Sequence, residues 1–160
     1  NHAYGEVFVL PKARVLETSA KVVGTDGEKM SKSYNNTIEI FEPVKPLRKK
    51  IMRIATDSRP MEDAKDPDTD HLYQLYSLFA SDQQREAMAA KYRAGGFGYG
   101  EVKGALADLT IEYFAEARER RAELEADPRR VQEILGDGAA RARKKAAATL
   151  RRAQEACGVK

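Results

Sequence analysis

The sequence predicts a mainly α fold, a helical bundle preceded by a short stretch of strands and loops. Three observations predict it. Five of the six prolines (11, 43, 46, 60 and 67) fall in the first 67 residues and only Pro128 lies beyond, and proline is excluded from helix interiors because it lacks an N–H and clashes with the preceding turn. Apolar residues then recur at i, i+3, i+4, i+7 (Leu72, Leu75, Tyr76, Phe79) and again as Val102, Leu106, Leu109, Tyr113, which is the period of a one-sided helix. The closing third is rich in Ala, Arg and Glu, which are strong helix formers.

The elements follow in order. Glu6-Val7-Phe8-Val9-Leu10 is a short apolar run ended by Pro11, and Lys21-Val22-Val23 is a β-branched run ended by Gly24; both are expected to be strands. From Gly24 to Asn36 almost every residue is small or polar, so this is a loop. A helix should follow Pro43, bury Leu47, Ile51 and Ile54, and stop near Thr56-Asp57-Ser58. Residues 57–69 hold two prolines and five acids and should form an exposed linker. Ser81 and Gln84 have the spacing of a capping box, and Gly95-Gly96-Phe97-Gly98 breaks the helix that follows. Val102 should open a helix of roughly 35–40 Å running to about Glu123. Asp127-Pro128 is an N-cap followed by proline at the first helical position. Gly136 should end that helix and Asp137 should cap a final one, with Ala139, Ala142, Ala146, Leu150, Ala153 and Cys157 on its inner face.

Composition narrows the function. The chain has 160 residues, 28 Lys+Arg against 25 Asp+Glu, a net charge of +3 and one cysteine. Such a length suggests one domain or one domain with an appendage. No apolar run is long enough to span a bilayer, the first residues do not read as a secretory signal, and no Cys/His spacing suits zinc. The charge is unevenly placed. Lys45, Arg48, Lys49, Lys50 and Arg53 form one acid-free run, and Arg141, Arg143, Lys144, Lys145, Arg151 and Arg152 form another. Local basic patches matter more for polyanion binding than the total charge does.

The informative segment is Gly27-Glu28-Lys29-Met30-Ser31-Lys32-Ser33. Two lysines three apart sit in a loop with two hydroxyls, downstream of Gly24 and Gly27. Lysine ammoniums neutralise phosphate oxygens as compact charges, and serine hydroxyls and loop amides add hydrogen bonds. When an α-phosphate is attacked and pyrophosphate leaves, negative charge grows on the departing oxygens. Cations that contact them best at that moment lower the barrier.

Lys29-Met30-Ser31-Lys32-Ser33 resembles the signature loop of the class I aminoacyl-tRNA synthetases. The flanking pieces Tyr4-Gly5-Glu6-Val7-Phe8, Gly24-Thr25-Asp26-Gly27, Asn36-Thr37-Ile38, Arg48-Lys49-Lys50-Ile51, Thr56-Asp57-Ser58, Gly98-Tyr99-Gly100-Glu101 and Gly138-Ala139…Ala142 are similar to the bacterial tryptophan-specific family. The resemblance implies activation of tryptophan with ATP and Mg²⁺ and transfer of the tryptophanyl group to tRNA(Trp). It implies a cytoplasmic homodimer with no membrane or DNA partner, and Mg²⁺ held through the phosphates rather than by a ligand on this chain. It implies ATP contacts from Gly27, Lys29, Met30, Ser31, Lys32 and Ser33, with Lys29 and Lys32 catalytic. Residues 1–42 would be the end of the Rossmann-like catalytic domain and residues 43–160 the helical domain that receives the anticodon. The family's His-x-Gly-His signature is absent, since His2 precedes Ala3-Tyr4-Gly5 and His71 precedes Leu72-Tyr73-Gln74. The chain is therefore expected to be a C-terminal portion, inactive alone. Val102 stands where the family often has Phe, and Glu116-Ala117 where it often has Pro and an aliphatic residue. A non-catalytic helical RNA-binding module and a tyrosine-specific sister enzyme are the alternative readings.

Five further expectations concern single residues and faces. His71 reads as a surface or capping residue, Cys157 as a small packing residue, and Tyr73, Tyr76 and Phe79 as core. Arg141, Lys144, Lys145 and Arg152 cluster on one side of a helix, where they either face solvent or contact tRNA phosphates. The Lys45–Arg53 patch follows the signature loop directly and is a candidate for substrate or tRNA phosphates.

Overall fold

A computed structural model describes residues 1–15 and 21–159. Among them lie six α-helices: α1 (Val44–Met52), α2 (His71–Ser77), α3 (Asp82–Ala94), α4 (Tyr99–Tyr113), α5 (Ala115–Ala126) and α6 (Pro128–Cys157). No helix among the described residues is long and apolar enough to cross a membrane.

The chain divides into two compact units, residues 15–118 and residues 1–14 with 119–160. The first unit holds the core. Leu47 and Ile51 of α1, Leu72, Leu75 and Tyr76 of α2, Tyr92 of α3 and Val102, Leu106 and Ala107 of α4 are buried together with Ile54 and Phe97. Both α1 and α2 pack on α4, and α3 packs on α2. Tyr73 and Phe79 pack against this core, as their spacing predicts. Val102 is fully buried, so the smaller side chain at this position sits inside the core.

Helix starts written in local chemistry are observed as expected. The Ser81 amide donates to Gln84 Oε1 at 2.8 Å, and the Gln84 amide donates back to Ser81 Oγ. Asp127 accepts from the Arg130 amide ahead of Pro128. Gly95 and Gly96 take φ of 73° and 75°, a region glycine enters at no steric cost.

Six expectations are corrected. No strand forms at residues 6–10, because the backbone there is held by the Asn1 side chain, which bonds Val7, Phe8 and the Phe8 carbonyl. At 21–23 only an isolated bridge forms, Val23 with Lys29. The helix from Val102 kinks at Phe114 (φ −99°, ψ 11°), where Phe114 turns edge-on to Phe79 and Thr110 Oγ1 bonds back to the Leu106 carbonyl, a pattern that bends helices. Gly136 does not end a helix, and α6 runs through Gly136 and Gly138 without interruption. Each glycine costs about 1 kcal/mol relative to alanine, and the Ala, Leu and Arg residues around them tolerate that. The inner face expected for the last helix is uncovered: α6 has no buried residue, and Cys157 is exposed. Finally, the 57–69 linker is not wholly exposed. Lys65 is only 2% exposed. Its ammonium donates to the carbonyls of Pro60 and Asp63 and lies 4.6 Å from the centre of the Phe97 ring.

Candidate functional site

The site is the loop from Val22 to Asn36, within the 15–118 unit. Its base is a tight hairpin. The Met30 amide donates to the Val22 carbonyl at 2.9 Å and the Gly24 amide to the Glu28 carbonyl at 2.7 Å. Gly27 turns the chain at φ 86°, the left-handed region that a side chain would strain.

One buried side chain holds this hairpin together. Asn36 is 2% exposed. Its Oδ1 accepts from the Ser31 amide at 2.7 Å, and its Nδ2 donates to Asp26 Oδ1 at 2.8 Å and to the Lys29 carbonyl at 3.1 Å. Its own carbonyl accepts from the Thr25 amide at 3.0 Å. Gly24 lies directly against Asn36, and a Cβ there would run into the Asn36 side chain and carbonyl. The hydrogen bond from Asn36 holds the Asp26 carboxyl below the usual carboxylate range, and the Glu28 amide and the His71 ring act in the same direction.

Past the hairpin, Lys32–Tyr34 forms one 3-10 turn closed by Asn35 in the left-handed conformation. Ser31 Oγ and Ser33 Oγ lie 2.8 Å apart. Met30 and Ser31 are half-buried, whereas Lys29, Lys32 and Ser33 are exposed. The loop's backbone is therefore fixed through Lys29 and Ser31, while the two ammonium groups project from it. Each ends a flexible four-carbon stem, so both can follow a charge that moves during a reaction.

The remaining candidates divide. In the Lys45–Arg53 patch, Arg48 pairs with Asp108 of α4 and Lys50 pairs with Glu42 at 2.8 Å. Lys45, Lys49 and Arg53 are exposed. Arg141, Lys144, Lys145 and Arg152 are exposed on α6 in the other unit, within an arc of about 100° at 3.6 residues per turn. Arg152 Nη2 donates to the Val7 carbonyl at 3.2 Å. Sequence reasoning missed Asn36 and Asp26 as structural residues. The one available signal was the glycine at 24, which hints at close approach of another group. His71, read as a surface or capping residue, is half-buried as the first residue of α2, and its Nε2 donates to the Ala55 carbonyl at 2.5 Å.

Comparison with known proteins places the chain in a family. The model of the family "tRNA synthetases class I (W and Y)" matches residues 2–115. The tryptophan–tRNA ligase of Rhodopirellula baltica is 62% identical over 160 residues, which is 100% of this chain and 50% of that protein. The tryptophan–tRNA ligase of Fusobacterium nucleatum is 43% identical, over 99% of this chain and 49% of that protein. The crystal structure of tryptophanyl-tRNA synthetase from Campylobacter jejuni complexed with ADP and tryptophan superposes with a TM-score of 0.81 at 45% identity, covering 99% of this chain and 50% of that one. The chain spans about half the length of the relatives it matches.

Proposed function

The chain belongs to the class I tRNA synthetases of the tryptophan and tyrosine group, and on that premise we propose that it is the C-terminal half of a tryptophan–tRNA ligase carrying that enzyme's pyrophosphate-binding loop. Residues 1–42 end the Rossmann-like catalytic domain, and residues 43–160 form the helical domain that receives tRNA(Trp). The whole protein works as a cytoplasmic homodimer on ATP, tryptophan and tRNA(Trp).

The observation that supports this reading is the loop's construction. A backbone pinned by Asn36 presents two exposed lysines whose side chains can reach a ligand. In the reaction, a carboxylate oxygen of tryptophan attacks the α-phosphorus of ATP. The bond from that phosphorus to the oxygen bridging to the β-phosphate breaks, and pyrophosphate leaves with the electron pair. Lys29 and Lys32 hold the departing diphosphate as its charge grows, and so favour the transition state over the ground state. The Ser31 and Ser33 hydroxyls complete the contacts. Among the described residues no group of three or more His, Cys, Asp or Glu is placed to hold a metal ion, which supports reading Mg²⁺ as bound through the nucleotide's phosphates. The metal enters with the nucleotide, and no protein step runs through it.

Exchange of ATP with labelled pyrophosphate by the full-length protein tests the reading. It should depend on tryptophan and not on tyrosine. Exchange driven by tyrosine would assign the sister specificity, and no exchange with either would favour a non-catalytic RNA-binding module. For tRNA, the exposed α6 face contributes phosphate contacts. Changing Arg141, Lys144 and Lys145 together to Gln should weaken tRNA(Trp) binding and flatten the dependence of log K on log salt, since each lost phosphate contact removes roughly 0.7–0.9 from the slope. An unchanged slope would leave that face to solvent.

A further inference from the structure

The lysines act only if the loop is held where the phosphates will be, and its anchoring does not stop at Asn36. The peptide of Ala55, just beyond α1, is bonded on both sides. Its amide donates to the Thr25 carbonyl inside the hairpin at 2.8 Å, and its carbonyl accepts from His71 Nε2 at 2.5 Å. The same imidazole lies along the turn of the hairpin, where a Cβ on Gly27 would sit 3.4 Å from His71 Nδ1, ordinary van der Waals contact. His71 is in turn fixed at the start of α2. Its neighbour Asp70 is 8% exposed and accepts from the Tyr73 amide at 2.8 Å and from the Tyr92 hydroxyl of α3 at 3.2 Å. A continuous chain of contacts thus runs from the α2–α3 pair through His71 to the turn that precedes Lys29.

We propose that His71 is a positioning residue for the phosphate loop, a strut that sets the height of the Gly27 turn by bonding Ala55 and packing its ring under that turn. This rests on the reading of Lys29 and Lys32 as the pyrophosphate clamp, and adds a residue outside the signature that decides where the clamp stands. The chemistry follows from the contacts. The Ala55 carbonyl can only accept, so Nε2 carries the hydrogen, and the ring turns its face to the turn, with Nδ1, Cε1 and Cγ all 3.4–3.5 Å from where a Cβ on Gly27 would stand. Glutamine can place its side-chain amide nitrogen at the reach of Nε2 and keep the bond to Ala55. Asparagine is one carbon shorter and cannot. Alanine removes both the bond and the packing. Displacing a catalytic group by about 1 Å costs on the order of 10²-fold in rate, so a partly slackened loop should cost about 10–100-fold.

The experiment uses the full-length protein and tryptophan-dependent ATP–pyrophosphate exchange, with thermal unfolding followed by circular dichroism on every variant. His71→Ala should lower kcat about 10–100-fold and leave KM for tryptophan within about twofold. His71→Gln should recover most of kcat, and His71→Asn should not. A merely structural role would lower stability and worsen both parameters together, and would not sort glutamine from asparagine. If His71→Ala fails to fold, the glutamine and asparagine variants decide, and equal kcat in those two overturns the proposal. Lys29→Ala separates this inference from its premise. Slow exchange in Lys29→Ala with wild-type exchange in His71→Ala rejects the strut alone. Wild-type exchange in both rejects the phosphate-loop reading and the strut with it.

Discussion

Lys29→Ala and Lys32→Ala, each made in the full-length protein, should slow tryptophan-dependent ATP–pyrophosphate exchange by about 10²–10³ while KM for tryptophan stays near wild type. The size follows from what each ammonium does. Removing one donor aimed at charge that develops in the transition state typically costs about 3–4 kcal/mol, and each 1.4 kcal/mol is tenfold in rate. The direction follows from where the lysines stand. Both are exposed, so neither truncation opens a cavity, and stability should change by less than about 0.5 kcal/mol. A loss of rate without a loss of stability is the signature of a group that works on the substrate. Arginine at either position should rescue only in part, because a planar fork replaces a compact charge on a flexible stem. Exchange at the wild-type rate in both alanine variants would reject the role given to the loop.

What was legible in the sequence was what is encoded locally. Lys29 and Lys32 stand out because their string is unusual and its chemistry is contained in five consecutive residues. The Ser81–Gln84 box and the Asp127–Pro128 start are equally local, and both are observed. What was illegible depends on partners far along the chain. Phe114 kinks its helix against Phe79, 35 positions earlier in the sequence. Lys65 lies in a run of acids and prolines that reads as solvent-exposed, and only the fold brings the Pro60 and Asp63 carbonyls and the Phe97 ring around its ammonium. The apolar run at residues 6–10 has the pattern of a strand, but a strand needs a neighbour, and its amides bond Asn1 instead. In the site, neither periodicity nor motif shows what Asn36 and His71 hold in place. Each matters through bonds to backbone groups 5 to 16 residues away, and such bonds leave no trace in composition.

Asn36→Ala should therefore disable the loop although both lysines remain. The substitution deletes the acceptor for the Ser31 amide and the donor to the Lys29 carbonyl and to Asp26. A buried polar group left without a partner costs about 1–3 kcal/mol, and the loop can recover that only by moving toward water. Exchange should fall about 10–10²-fold with KM for tryptophan unchanged. If Asn36 acts by placing Lys29, Asn36→Ala combined with Lys29→Ala should cost less than the sum of the two single effects, as for coupled groups. Strict additivity would mean that Asn36 serves something other than the clamp. Acid gives an independent check. Asp26 titrates below its ordinary 3.8 chiefly because Asn36 donates to it. A carboxyl depressed in the folded state stabilises it above the unfolded pKa, and that contribution is lost as pH falls through the folded pKa. Without Asn36 the Asp26 titration should move up toward 3.8, as read by carboxyl ¹³C NMR. An Asp26 titration that does not move in Asn36→Ala would show that the loop is held by other means, and the placement of Lys29 would then need another cause.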